Sequence, residues 1–136
     1  MTHTIKVELD VADEERLSRL AGELGKAVDE TARLLFVEKL REEAFPRIEF
    51  RTSAIGRLAY VKGHRLAVWG VVLIGRSYEM NPGRTAEHLS WPVELVDEAF
   101  SYARAYHDEI DPIVLDAEAA DFEDFERRFP TLQQSL

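Results

Sequence analysis

Residues 4–9 read Thr-Ile-Lys-Val-Glu-Leu, a strict polar/apolar alternation of period two with no second strand pattern close behind it. Ile5, Val7 and Leu9 form one face and Thr4, Lys6 and Glu8 the other. A single short strand is not stable alone. The pattern therefore demands a pairing partner, and the simplest source is a second copy of the chain.

The residues that follow are helical in pattern. Asp10 or Asp13 can cap a helix whose apolar positions Leu17, Leu20, Ala21 and Leu24 repeat at three and four, and Gly25 supplies its stop. A second helix is expected from about Val28 to Glu43, with Asp29 and Glu30 in the first turn where the helix dipole favours them. Its apolar residues Ala32, Leu35, Phe36, Val37 and Leu40 cover more than one narrow stripe, which again calls for a partner chain. Strand, helix, glycine turn and helix in this order resemble the ribbon-helix-helix fold of the Arc and CopG repressors. The resemblance implies a homodimer whose paired strands enter the DNA major groove, with the second helix's N-terminus at a phosphate. Carried onto this chain, Thr4, Lys6 and Glu8 would face DNA, and the Lys26–Asp29 segment would lie near the backbone. The chemistry fits less well than the shape. Glu8 repels phosphate, although it can accept from a cytosine amino group, and Asp29 and Glu30 crowd the phosphate position.

A chain of 136 residues suits one ordinary domain or two small ones, and two small modules each bury little surface unless they associate. Hydrophobic residues at 46% and charged residues at 32% argue against a wholly disordered chain. There is no cysteine, which removes disulfides and thiolate metal sites. Met1–Lys6 lacks the basic start and apolar run of a signal peptide. The longest apolar stretch, Leu66 to Gly75, is too short for a bilayer, where about 20 residues are needed. The expected location is the cytoplasm, without membrane association.

A net charge of −9 is at first unfavourable for binding a polyanion. Its distribution is more informative. Residues 1–46 hold seven basic and eleven acidic side chains, residues 47–84 seven and two, and residues 85–136 three and thirteen. A basic middle (+5) beside a strongly acidic end (−10) fits a protein with one anionic partner and a second of different character.

Past Pro46, Arg47–Arg51 and Arg57–Val61 alternate like short strands around Thr52–Gly56, which predicts a hairpin. Lys62-Gly63-His64 makes the next turn, and Leu66 to Arg76 reads as a buried helix. Asn81-Pro82-Gly83 opens another helix with proline in its first turn, and Ser90-Trp91-Pro92 opens a last long one, expected to reach Ile110. The run Gly56-Arg-Leu-Ala-Tyr-Val-Lys-Gly-His-Arg-Leu-Ala-Val-Trp69 resembles the opening of a small helix-turn-helix domain found in VapB-type antitoxins. The ending Ala99-Phe-Ser-Tyr-Ala-Arg-Ala-Tyr-His-Asp-Glu-Ile-Asp111 resembles that domain's close. The likeness covers residues 46–111. Two positions depart from it: His64 stands where threonine is common, and Trp91-Pro92 differs from the usual turn.

The resemblance implies three helices in a helix-turn-helix, the last being the nominal recognition helix. That helix exposes Glu94, Asp97 and Glu98, which would meet phosphates with like charge. DNA contacts are therefore expected from Arg57, Lys62, His64 and Arg65 on the hairpin, and from Arg76 and Arg84 beside the following helix. The other reading makes these ordinary solvated charges on a protein-binding scaffold.

Beyond Pro112 the chain turns acidic, with Phe122, Phe125 and Phe129 spaced on one helical face. Antitoxins of the resembled class use such a segment to occlude a toxin's active site, which implies a basic toxin such as a PIN-type ribonuclease. Docking of the three phenylalanines on the chain's own domain is the alternative.

Catalysis finds no support in the sequence. His3, His64, His88 and His107 are scattered, no metal-ligand spacing or phosphate-binding glycine loop occurs, and no serine sits in a glycine elbow. His107, Asp108 and Asp111 lie close together, an arrangement more often solvated than metal-binding. The expectation is thus a mostly α fold with short β: a ribbon-helix-helix dimerisation module over 1–45, a hairpin and helix-turn-helix domain over 46–111, and an acidic aromatic segment over 112–136. The expected function is an antitoxin-like, DNA-binding autoregulator that needs no cofactor or metal. The alternative is a dimeric protein-interaction module that does not touch DNA.

Overall fold

The computed structural model describes the backbone through Arg128 and the side chains through Asp121. The described chain is mostly helical with one small antiparallel hairpin, and it divides into two compact units, Met1–Ala44 and Phe45–Leu136.

In the first unit, residues 1–10 adopt neither helix nor strand, where the sequence predicts a strand over Thr4–Leu9. Helix α1 (Val11–Leu24) begins where the Asp10 carboxylate accepts from the Asp13 amide at 2.8 Å, so Asp10, not Asp13, is the cap. It ends at Gly25, whose φ of +65° is open to glycine at no steric cost, and the Lys26 amide closes the turn on the Ala21 carbonyl at 3.0 Å. Helix α2 (Val28–Ala44) follows directly. The two helices bury very little in a single chain: Ala21, Thr31 and Glu38. Ile5, Val7, Leu9, Val11, Val28, Phe36 and Leu40 all remain exposed, Ile5 at 80% and Leu40 at 68%. The second face predicted for α2 is present, and within one chain it is bare.

The second unit opens with β1 (Ile48–Ser53) and β2 (Gly56–Val61), paired from Ile48↔Val61 to Ser53↔Gly56. Ser53 Oγ donates to the Gly56 carbonyl at 2.8 Å and closes the hairpin turn. Ile48, Ala59 and Val61 point into the core. Helices α3 (Val68–Arg76), α4 (Pro82–Leu89), α5 (Val93–Ala105) and α6 (His107–Arg128) complete the unit. Their shared core holds Val68, Val71, Val96, Ala99, Phe100, Tyr102, Ile110 and Val114. α3 is short and apolar nearly all round, as a helix surrounded by other elements should be. It crosses α5 so closely that a Cβ on Gly75 would stand 2.6 Å from Cζ of Phe100.

Three boundaries differ from the sequence reading. α3 starts at Val68, not Leu66, because Ala67 is bridged to Tyr60 and stays extended. The last long helix stops at Ala105: Tyr106 leaves helical geometry at φ −124° and ψ 43°. α6 then starts at His107 and runs through Pro112, which lacks the amide that would have reached the Asp108 carbonyl. Ile110 and Val114, on either side of that proline, are both buried. The first turns of the acidic segment are therefore part of the second unit's core.

Candidate nucleic-acid interface

The turn after β2 is held from three directions. The Arg51 guanidinium donates through Nη1 to the His64 carbonyl at 2.7 Å and through Nε to Glu49 Oε1 at 3.0 Å, and it lies 4.8 Å over the Tyr60 ring. Glu49 also accepts from the Gly63 amide at 3.4 Å. The hydrogen bond from Arg51, more than any other contact, holds the Glu49 carboxyl below its ordinary range. Finally, the His64 ring lies 4.3 Å from the ring of Trp91 in the turn between α4 and α5. Lys62 and Arg65, on either side of this fixed point, are exposed and make no ion pair among the described residues.

A second basic group surrounds the α3–α4 turn. Arg84 is exposed with its guanidinium 5.2 Å over the Tyr78 ring, and the Tyr78 hydroxyl meets His88 Nδ1 at 2.7 Å. The turn itself needs two consecutive left-handed residues, Glu79 (φ 55°) and Met80 (φ 60°), closed by the Met80 amide on the Gly75 carbonyl at 2.7 Å. Such a turn fixes the start of α4 where Asn81 Oδ1 caps the Arg84 amide at 2.9 Å.

The positive charge of the middle segment is only partly available to a ligand. Arg47 pairs with Glu98 of α5, Arg51 with Glu49, and Arg76 with Glu118 of α6. Arg57 is half-buried beside the hairpin turn and donates to Thr52 Oγ1 at 3.2 Å. Of the six positions expected to meet phosphate here, Lys62, Arg65 and Arg84 are exposed without an ion pair among the described residues, His64 is stacked, Arg57 is hydrogen-bonded, and Arg76 is engaged by a carboxylate. Glu94 and Asp97 stand exposed on α5, as the sequence suggested, but Glu98, expected beside them, is turned in at 15% exposure by its pairing with Arg47.

The remaining expected positions fall elsewhere. Thr4, Lys6 and Glu8 are exposed on the unpaired N-terminal segment, and Lys26 is exposed in the turn between α1 and α2. Phe122 and Phe125 belong to the backbone of α6, and Phe129 lies outside the described residues. His107 Nδ1 is 3.0 Å from Asp108 Oδ1 and 4.0 Å from Asp111 Oδ2, on an exposed helix end. Among the described residues no group of three metal-ligating side chains converges, and no helix is long and apolar enough to cross a membrane.

The sequence reading missed Arg51, although Glu49 and Arg51 share one strand face at i and i+2, a signal that was legible. It also missed the ion pairs of Arg47 and Arg76, whose acidic partners lie far along the chain and carry no local signature. No protein-family model matches the chain, and neither a curated protein nor a solved structure matches it.

Proposed function

We propose that this chain is an antitoxin-like, non-enzymatic transcriptional autoregulator that binds its operator as a homodimer and captures a basic toxin with its acidic C-terminal part. The observation that carries the reading is the N-terminal unit. Ile5, Val7 and Leu9 alternate along a segment with nothing to pair with, ahead of two helices that leave Phe36 and Leu40 bare. A 44-residue unit with Ala21 as its buried apolar residue lacks the core to fold alone, and a second copy would supply it. Pairing of two such segments would present Thr4, Lys6 and Glu8 of each chain outward as a ribbon. Lys62, Arg65 and Arg84 add cations suited to phosphate.

One observation favours the second reading, a dimeric protein-interaction module. The outward face of α5 carries Glu94 and Asp97 where a recognition helix would need neutral or basic residues. The two are separated by purifying tagged full-length chain from its native cell and identifying bound protein and bound DNA together. Promoter DNA with one small basic protein supports the autoregulator. A homodimer free of nucleic acid supports the interaction module.

A further inference from the structure

α6 carries nine carboxylates against two arginines, yet it belongs to the same unit as the basic segment and is anchored there by buried Ile110 and Val114. From that position Glu118 pairs with Arg76, the last residue of α3. We propose that α6 is a built-in competitor for DNA, its Glu118 carboxylate holding the Arg76 guanidinium that a phosphate would otherwise engage. This rests on the DNA-binding reading and adds a regulatory contact to it.

The physical basis is direct. A carboxylate and a phosphate oxygen are interchangeable acceptors for a guanidinium, and both bind it as a charge-assisted pair. Glu118 Oε1, the oxygen that meets Arg76, is itself buried, while Arg76 keeps half of its side-chain surface open to solvent, so a phosphate would reach the pair from the guanidinium side. Its strength is that of a partly exposed ion pair, enough to compete with one phosphate contact and too weak to be permanent. Asp116 and Asp121, exposed on the same helix, extend the negative field without an ion pair among the described residues. Removing Glu118 should therefore release one cation to the ligand. Removing Asp116 should lower the general repulsion alone.

The test uses full-length protein and a labelled mixed-sequence duplex of about 20 base pairs, titrated from about 50 mM salt upward. Four variants are compared with the parent: Glu118→Gln, Asp116→Asn, Arg76→Ala, and Arg76→Ala with Glu118→Gln. Glu118→Gln is expected to bind about three- to tenfold tighter, with a salt slope steeper by about one. Asp116→Asn should gain less than about twofold. Arg76→Ala should match the parent and should cancel the gain from Glu118→Gln, which a general charge effect would not do. Equal gains from Glu118→Gln and Asp116→Asn, or a gain that survives without Arg76, would overturn the competitor. A parent that binds while Glu118→Gln changes nothing removes the competitor and leaves the DNA reading intact. Failure of every variant to bind at low salt removes both. Urea midpoints of the variants confirm that each is folded.

Discussion

The Arg51 guanidinium on β1 donates to the backbone carbonyl of His64 at 2.7 Å, so a strand residue fixes the turn that carries the two exposed cations Lys62 and Arg65. Arg51→Ala removes this contact together with the Glu49 pair and the Tyr60 stack. Because the side chain is about one-third exposed, the expected loss of stability is modest, about 1 kcal/mol. Chemical denaturation of the parent and the variant measures it. A loss indistinguishable from zero would mean that the turn holds its shape without Arg51.

Glu49 gives the same contact a pH signature. Its carboxyl is held below the ordinary range, chiefly by the Arg51 hydrogen bond. The contribution is therefore complete above the unfolded carboxylate pKa and is lost as pH falls through the lower folded value. Glu49→Gln should flatten the stability curve in that acidic window and leave its alkaline side unchanged in slope. Denaturation midpoints across the acid range test this, and identical slopes for both proteins would contradict it.

Gly75→Ala should be costly for a reason unrelated to helix propensity. The added methyl would meet Cζ of Phe100 at 2.6 Å and Cε1 at 2.9 Å, and Phe100 is a buried, rigid ring. Overpacking of this kind costs about 1–3 kcal/mol. Phe100→Leu deletes the opposing atoms and should recover part of the loss in the double variant, so the two effects should not add. Strict additivity would show that the methyl is accommodated elsewhere.

Features signalled by neighbouring residues were legible in the sequence. An aspartate cap and Gly25 bracket α1, Pro82 opens α4 behind Asn81, and the alternation of residues 47–61 specifies the hairpin. The break at Tyr106 was not legible, because apolar residues continue in helical spacing from Tyr102 through Tyr106 to Ile110. Nor was the continuation of helix past the expected end at Ile110, where α6 runs through Pro112 with Ile110 and Val114 buried on either side. For the candidate site, the sequence located the basic residues of the middle segment but not which of them are neutralised. The acids that pair with Arg47 and Arg76 come from α5 and α6, and only folding brings them there.

The N-terminal unit yields a prediction about assembly. Ile5→Asp or Val7→Asp places a charge on the face that a second copy would cover. Sedimentation should show the parent as a dimer and either variant as monomer or unfolded chain. A dimer that persists in both would overturn pairing through this segment.

The most direct test of the account is the salt dependence of binding between the full-length chain and a duplex containing its own promoter. The parent should bind with an affinity that falls linearly on a double-logarithmic plot, and Lys62→Ala and Arg65→Ala should each lower the slope by about one. No measurable binding at about 50 mM salt, or slopes unchanged in both variants, would contradict it.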